Sequence, residues 1–224
     1  LKSGGQFFLE SVEKGEHVGR YSIITGGELV RIELNGSQIH IQNQMEDTVD
    51  KQVDNPFNDA ASYLRHFNCP EYDGLPPFYS GIIGYLGYEA IQYFAQVPTC
   101  RENTGIPDSI LIIPEFILVY DSVKRTVFII ITVLNSNQDS IDANRCYEEA
   151  IERLLDIKER ITQTTVPEKT DRDDCQSMKI HETTDKEGYM DMVETCKGLI
   201  RQGEIIQAVL SRRKDIETDL DPFL

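Results

Sequence analysis

The sequence predicts a mixed α+β fold in which the strands pair largely antiparallel. Three observations lead there. Asn35-Gly36 separates two alternating runs, with Ile32 and Leu34 before it and Ile39 and Ile41 after it. Ile110–Leu134 is almost wholly apolar, broken near its middle by the polar Asp121–Arg125. Later stretches space their apolar residues at helical intervals instead. With 224 residues, 40% of them hydrophobic and 27% charged, the chain has a globular balance and can bury a sizeable core.

The elements follow in order. Gln6–Ser11, Gly19–Ile24 and Leu29–Leu34 read as short strands separated by Gly-containing turns. Asn-Gly tolerates the positive φ angles of a type I′ turn, so a hairpin is expected around Asn35-Gly36. Asn55-Pro56 opens a helix with Phe57, Ala60 or Ala61, Leu64 and Phe67 on one face. After the break Asn68–Pro77, the run Phe78–Phe94 carries Gly81, Gly84 and Gly87 at every third residue. That spacing matches neither phosphate-binding glycine pattern and no Lys follows, so the glycines are read as allowing close packing or a bend in a strand.

Ile110–Leu134 reads as two long strands, and Pro114, which has no N–H to donate, implies an edge or a bulge. Val127–Leu134 reads as a buried strand, too short to span a bilayer. A helix follows, its apolar stripe formed by Ala143, Tyr147, Ala150, Ile151, Leu154, Leu155 and Ile161. Thr162–Thr184 is polar and without periodicity, as an exposed linker would be. Thr184 and Glu187 make a capping box for a last helix with Tyr189, Val193, Cys196 and Ile200 buried, and Gly203 ends it. Gly203–Arg213 (GEIIQAVLSRR) then reads as a strand in which Gln207 is the one amide among buried apolar side chains. The expected organisation is a β-rich region over 1–134, a helix and polar linker over 135–183, and the start of a further, incomplete domain over 184–224. A helix and one strand hold no core of their own, and the chain begins at Leu1 without Met, so a fragment of a longer protein is expected.

Thirty-eight acidic against 22 basic residues leave a formal net charge of −16, which disfavours nucleic acid and anionic membrane as partners. Cys69, Cys100, Cys146, Cys175 and Cys196 are scattered, and His17, His40, His66 and His181 form no ligand cluster. Neither a disulfide framework nor a zinc site is indicated, and a reducing cytoplasm fits.

Four stretches together resemble the anthranilate synthase component I branch of the chorismate-utilising enzymes. They are FFLESVEKGEHVGRYSII, SGIIGYLGYEAIQYF, IPDSILIIPEFILVYD and YMDMVETCKGLIRQGEIIQAVLSRR. They match, in order, the family's L-E-S and G-R-Y-S strands, its G-x-x-G-Y-L-G-Y-[DE] segment, its P-D…P-E…[FY]-D pattern and the opening of its catalytic core. The resemblance implies an α/β (α+β) fold of antiparallel sheets in a layered α/β/β/α sandwich, truncated here. It implies that the complete protein converts chorismate and ammonia to anthranilate and pyruvate with Mg²⁺, the ammonia coming from a glutamine amidotransferase subunit (component II). The Mg²⁺ ligands and catalytic histidine of the family are expected beyond Leu224, so this chain alone is expected to bind no Mg²⁺ and to be inactive.

The resemblance also implies site residues. Leu9, Glu10 and Ser11 fall on the motif that helps form the pocket for tryptophan as feedback inhibitor, with Arg20 as a second wall. A carboxylate and a hydroxyl at a strand end suit an ammonium group; the plainer reading is that Glu10 and Ser11 satisfy a local turn. Gln207 falls where relatives that add water to chorismate carry a basic lysine. A neutral amide can hydrogen-bond an intermediate but cannot take a proton at neutral pH, which points to amination; an amide satisfied by main chain is the alternative. Gln92 replaces an arginine common in the family, which puts an ion pair there in question. Two other functions stay open: aminodeoxychorismate synthase component I, and a free-standing amino-acid-binding regulatory module.

Overall fold

The computed structural model describes residues 7–10, 19–97, 105–134, 143–163 and 179–217. The chain divides into two compact units, Leu1–Thr164 and Thr165–Leu224. The fold is mixed α/β on antiparallel sheets, as the sequence predicts.

Among the described residues, the first unit holds two sheets. One has the order β1-β2-β8-β9, from β1 (Phe7–Leu9), β2 (Tyr21–Gly26), β8 (Phe116–Asp121) and β9 (Thr126–Ile131). The other has the order β5-β4-β3-β7-β6, from β3 (Val30–Asn35), β4 (Gln38–Asn43), β5 (Glu46–Gln52), β6 (Ile83–Leu86) and β7 (Ser109–Ile113). Every neighbouring pair is antiparallel.

The predicted hairpin forms, with Ile32 opposite Ile41 and Leu34 opposite Ile39. Its turn differs from the expected one. Asn35 pairs with Gln38, so Gly36 and Ser37 are the central residues and only Gly36 has a positive φ, 60°. A left-handed first position followed by an ordinary second one is the type II′ pattern rather than type I′.

Ile110–Asp121 is not one long strand. It is β7 followed by β8, and the chain passes between sheets at Pro114-Glu115. The partner segment makes the same passage between β2 and β3. Gly26 pairs with Phe116 and Val30 with Ile113, so three residues on one side face two on the other. That is the bulge Pro114 announces, and the residue is fully buried in it. Val127–Leu134 is also not fully buried. Its strand, β9, is among the described residues a sheet edge, paired on one side only; Val127 and Val133 are exposed and residues 128–132 half-buried.

One face of the five-stranded sheet carries the core: Val30, Ile32, Leu34, Ile39, Ile41 and Ile113. Helix α1 (Pro56–Leu64) covers it with Ala60, Phe57 and Leu64, and a 3₁₀ helix (Tyr88–Tyr93) adds Ala90 and Tyr93. Each Ile or Leu so enclosed contributes about 1.5–3 kcal/mol. Asn55 caps α1 by accepting from the Asn58 amide at 3.1 Å, and its Nδ2 donates to the Tyr93 carbonyl at 2.7 Å. Gly84 and Gly87 allow the close packing expected of them. A Cβ on Gly84 would run into the Ile110 carbonyl oxygen of the neighbouring strand, and one on Gly87 would lie 2.8 Å from the Asp108 carbonyl oxygen.

Helix α2 (Ala143–Gln163) is tied to the sheet crossing by Arg153, which meets Glu115 at 2.7 Å. Its buried side is rotated from the expected stripe. Ile157 is buried and Cys146, Ala150 and Leu154 are half-buried, while Tyr147, Ile151 and Leu155 are exposed. An apolar band this broad exceeds what one docking face covers.

The second unit holds β10 (Lys179–Glu182), helix α3 (Lys186–Gln202) and β11 (Lys214–Glu217), with β10 and β11 paired antiparallel. β10 is a strand inside the stretch expected to be linker. Asp185, not Thr184, caps α3, accepting from the Gly188 amide at 2.8 Å. Gly203 ends the helix as predicted, with φ 78° and amides of Gly203 and Glu204 closing on the Ile200 and Leu199 carbonyls. The expected strand over Gly203–Arg213 is not formed. Ile206 and Val209 are 96% and 86% exposed, and pairing begins only at Lys214. Among the described residues of this unit no sheet flanks 204–213, and an unpaired apolar segment does not hold strand geometry by itself.

Candidate functional site

The candidate site of the first unit is the end of the four-stranded sheet where β1 finishes and β2 begins. Leu9 closes β1 opposite Ile23, and Glu10 follows it; both side chains are exposed. Ser11 lies outside the described residues. Arg20 stands just before β2, and Tyr21 is paired with Asp121 at the end of β8. The antiparallel register therefore brings Leu9, Glu10 and Arg20, distant in the motif pattern, to one end of one sheet.

Arg20 is gripped there. Its Nε donates to Asp121 Oδ1 at 2.9 Å and its Nη2 to Oδ2 at 2.6 Å, the two-pronged geometry that a guanidinium matches best. The guanidinium carbon stands 4.9 Å from the centre of the Tyr21 ring. Main chain adds a third tie, the Ser122 amide donating to the Arg20 carbonyl at 2.9 Å. Asp121 is 1% exposed and also accepts from the Val123 and Lys124 amides, each at 3.0 Å, closing the β8–β9 turn. The hydrogen bonds from Arg20 hold the Asp121 carboxyl far below the usual carboxylate range against the opposing effect of burial, with the Lys124 amide next in weight.

A second carboxylate, Asp108, ties the core face together. Its Oδ2 accepts from the Gly36 amide at 2.7 Å, the Tyr93 hydroxyl at 2.9 Å and Gln92 Nε2 at 3.1 Å. Gln92 thus reaches by a neutral amide the carboxylate that an arginine would meet as an ion pair. The three acids of the P-D…P-E…[FY]-D pattern each hold separate segments together: Asp108 the hairpin and the 3₁₀ helix, Glu115 helix α2, and Asp121 the start of β2. Asp121 and Asp108 were not among the expected site residues. Their signal in the sequence was a carboxylate at a strand end, Asp108 directly before β7 and Asp121 as the last residue of β8.

Gln207 lies in the second unit, in the irregular segment 204–213, and its side chain is exposed. Among the described residues no three His, Cys, Asp or Glu side chains come together to hold a metal ion. Among them, too, no helix is long and apolar enough to cross a membrane.

Comparison with known proteins covers the whole chain. A family model described as chorismate binding enzyme matches residues 6–224. Anthranilate synthase component 1 of Acinetobacter calcoaceticus is 32% identical over 100% of this chain and 44% of its own length. The protein of that name from Acetivibrio thermocellus is 31% identical over 97% of this chain and 44% of its own. The crystal structure of anthranilate synthase component I from Streptococcus pneumoniae TIGR4 superposes with a TM-score of 0.69 at 24% identity, over 100% of this chain and 46% of that one. That likeness establishes the shared fold. The chain spans less than half the length of the curated relatives it matches.

Proposed function

Because the chain belongs to the family of chorismate binding enzymes, we propose that it is the N-terminal part of an anthranilate synthase component 1. The complete protein would convert chorismate and ammonia to anthranilate and pyruvate. One observation carries this: relatives bearing that name align along essentially the whole chain at 32% and 31% identity.

In this reading the first unit is regulatory. Exposed Leu9 and Glu10 sit at the same sheet end as the fixed Arg20 guanidinium. An exposed carboxylate can take the ammonium group of an amino acid by charge-assisted hydrogen bonds, and tryptophan is the proposed effector, with Ser11 completing the motif. The second unit would open the chorismate-binding core. Gln207 is proposed to face substrate there once the rest of the protein surrounds it, its neutral amide suiting amine addition rather than water activated by a base. Mg²⁺ and its ligands, and the docking of a glutamine amidotransferase subunit, are assigned to the complete protein, acting in the cytoplasm.

The test is genetic. The complete reading frame should restore growth without tryptophan to a bacterium lacking component 1, while residues 1–224 alone should not. Failure to relieve the tryptophan requirement, together with relief of the para-aminobenzoate requirement of a strain lacking aminodeoxychorismate synthase component I, would overturn the proposal.

A further inference from the structure

We propose that Asp121 is a positioning residue for the amino-acid effector site, holding the Arg20 guanidinium at the sheet end that carries Leu9 and Glu10. The proposal rests on the regulatory reading of that sheet end given above.

Ion pairs between exposed side chains are worth little, because both partners remain solvated and mobile. This pair differs on three counts. The acceptor is 1% exposed, so Asp121 has lost its water and must keep its donors. Both oxygens are used, Oδ1 by Arg20 Nε and by the Val123 and Lys124 amides, and Oδ2 by Arg20 Nη2. The carboxylate is therefore anchored to the β8–β9 turn by main chain, and it transfers that rigidity to a long, otherwise flexible side chain. The Ser122–Arg20 main-chain bond fixes the root of the same side chain, and the Tyr21 ring lies against its tip.

The register places this clamp where it matters. Tyr21 opposes Asp121 across β2 and β8, and Leu9 opposes Ile23 across β1 and β2, so clamp and motif share one end of three adjacent strands. A guanidinium held in place before a ligand arrives spares the ordering cost of an Arg side chain at the moment of binding. Without Asp121, the guanidinium would lose both hydrogen bonds to a buried carboxylate, and part of its ordering would fall to the moment of effector binding.

The experiment uses the complete protein. The tryptophan concentration for half-inhibition and the Tm are measured for wild type, Asp121→Asn, Asp121→Glu and Arg20→Lys. Asp121→Asn and Arg20→Lys are expected to raise the half-inhibiting concentration about tenfold, and Asp121→Glu, which keeps both oxygens, by less. A role confined to fold stability would lower Tm and leave half-inhibition in place at temperatures well below each Tm; that result overturns the proposal. If Asp121→Asn does not fold, Arg20→Lys and Asp121→Glu decide it, and wild-type inhibition in both overturns it. A wild-type protein indifferent to tryptophan would instead remove the regulatory reading on which the proposal stands.

Discussion

The Gly36 amide donates to Asp108 Oδ2 at 2.7 Å, across 72 residues of sequence. This contact joins the tip of the β3–β4 hairpin to the start of β7 and accounts for the turn being centred on Gly36-Ser37 rather than on Asn35-Gly36. Asp108→Ala would leave the Gly36 amide, the Tyr93 hydroxyl and the Gln92 amide without their shared acceptor. Losing hydrogen bonds to one partly buried carboxylate should cost about 3 kcal/mol. Urea denaturation of the first unit checks this, and Asp108→Asn, which keeps one acceptor oxygen, should fall between.

Two glycines should respond oppositely to the same substitution. Gly84→Ala places a Cβ against the Ile110 backbone in a fixed strand pair, and overpacking there should destabilise by about 3 kcal/mol or more. Gly198→Ala in α3 meets nothing within 4 Å, and should stabilise that helix by about 1 kcal/mol. Denaturation midpoints and helical circular dichroism separate the two outcomes.

Acid should reveal the Arg20–Asp121 pair. The folded Asp121 carboxyl titrates well below its unfolded counterpart, chiefly because Arg20 donates to it. A depressed folded pKa adds stability that is complete above the unfolded value, about 4, and is lost as pH falls toward the folded one. Wild-type stability should therefore fall as the pH drops below about 4, and Asp121→Asn should be less stable at neutral pH yet lose less over that interval. Thermal melts from pH 7 to pH 2 give the comparison; parallel curves for the two proteins would contradict it.

What the sequence made legible was whatever local chemistry decides. The alternating Ile32, Leu34, Ile39 and Ile41 specified a hairpin, Asn55-Pro56 a helix start, and Gly203 a helix end. What it hid depended on distant partners. The one-residue shift of the Gly36 turn answers to Asp108. Pro114 marked an interruption within Ile110–Asp121, but the passage of the chain from one sheet to the other shows only in its pairing with the segment between β2 and β3. The stretch around Gln207 has strand-like composition, but a strand exists through its neighbours, and among the described residues of its unit it has none. Leu9, Glu10 and Arg20 were singled out by resemblance, and that they share one sheet end shows only in the strand register. Asp121, which holds Arg20, was not singled out, because the pairing spans 101 residues.

The most direct measurement is the product made from chorismate. The complete protein, given chorismate, Mg²⁺ and an ammonium salt, should release fluorescent anthranilate with one equivalent of pyruvate. Accumulation of aminodeoxychorismate or isochorismate, with no pyruvate released, would contradict the account.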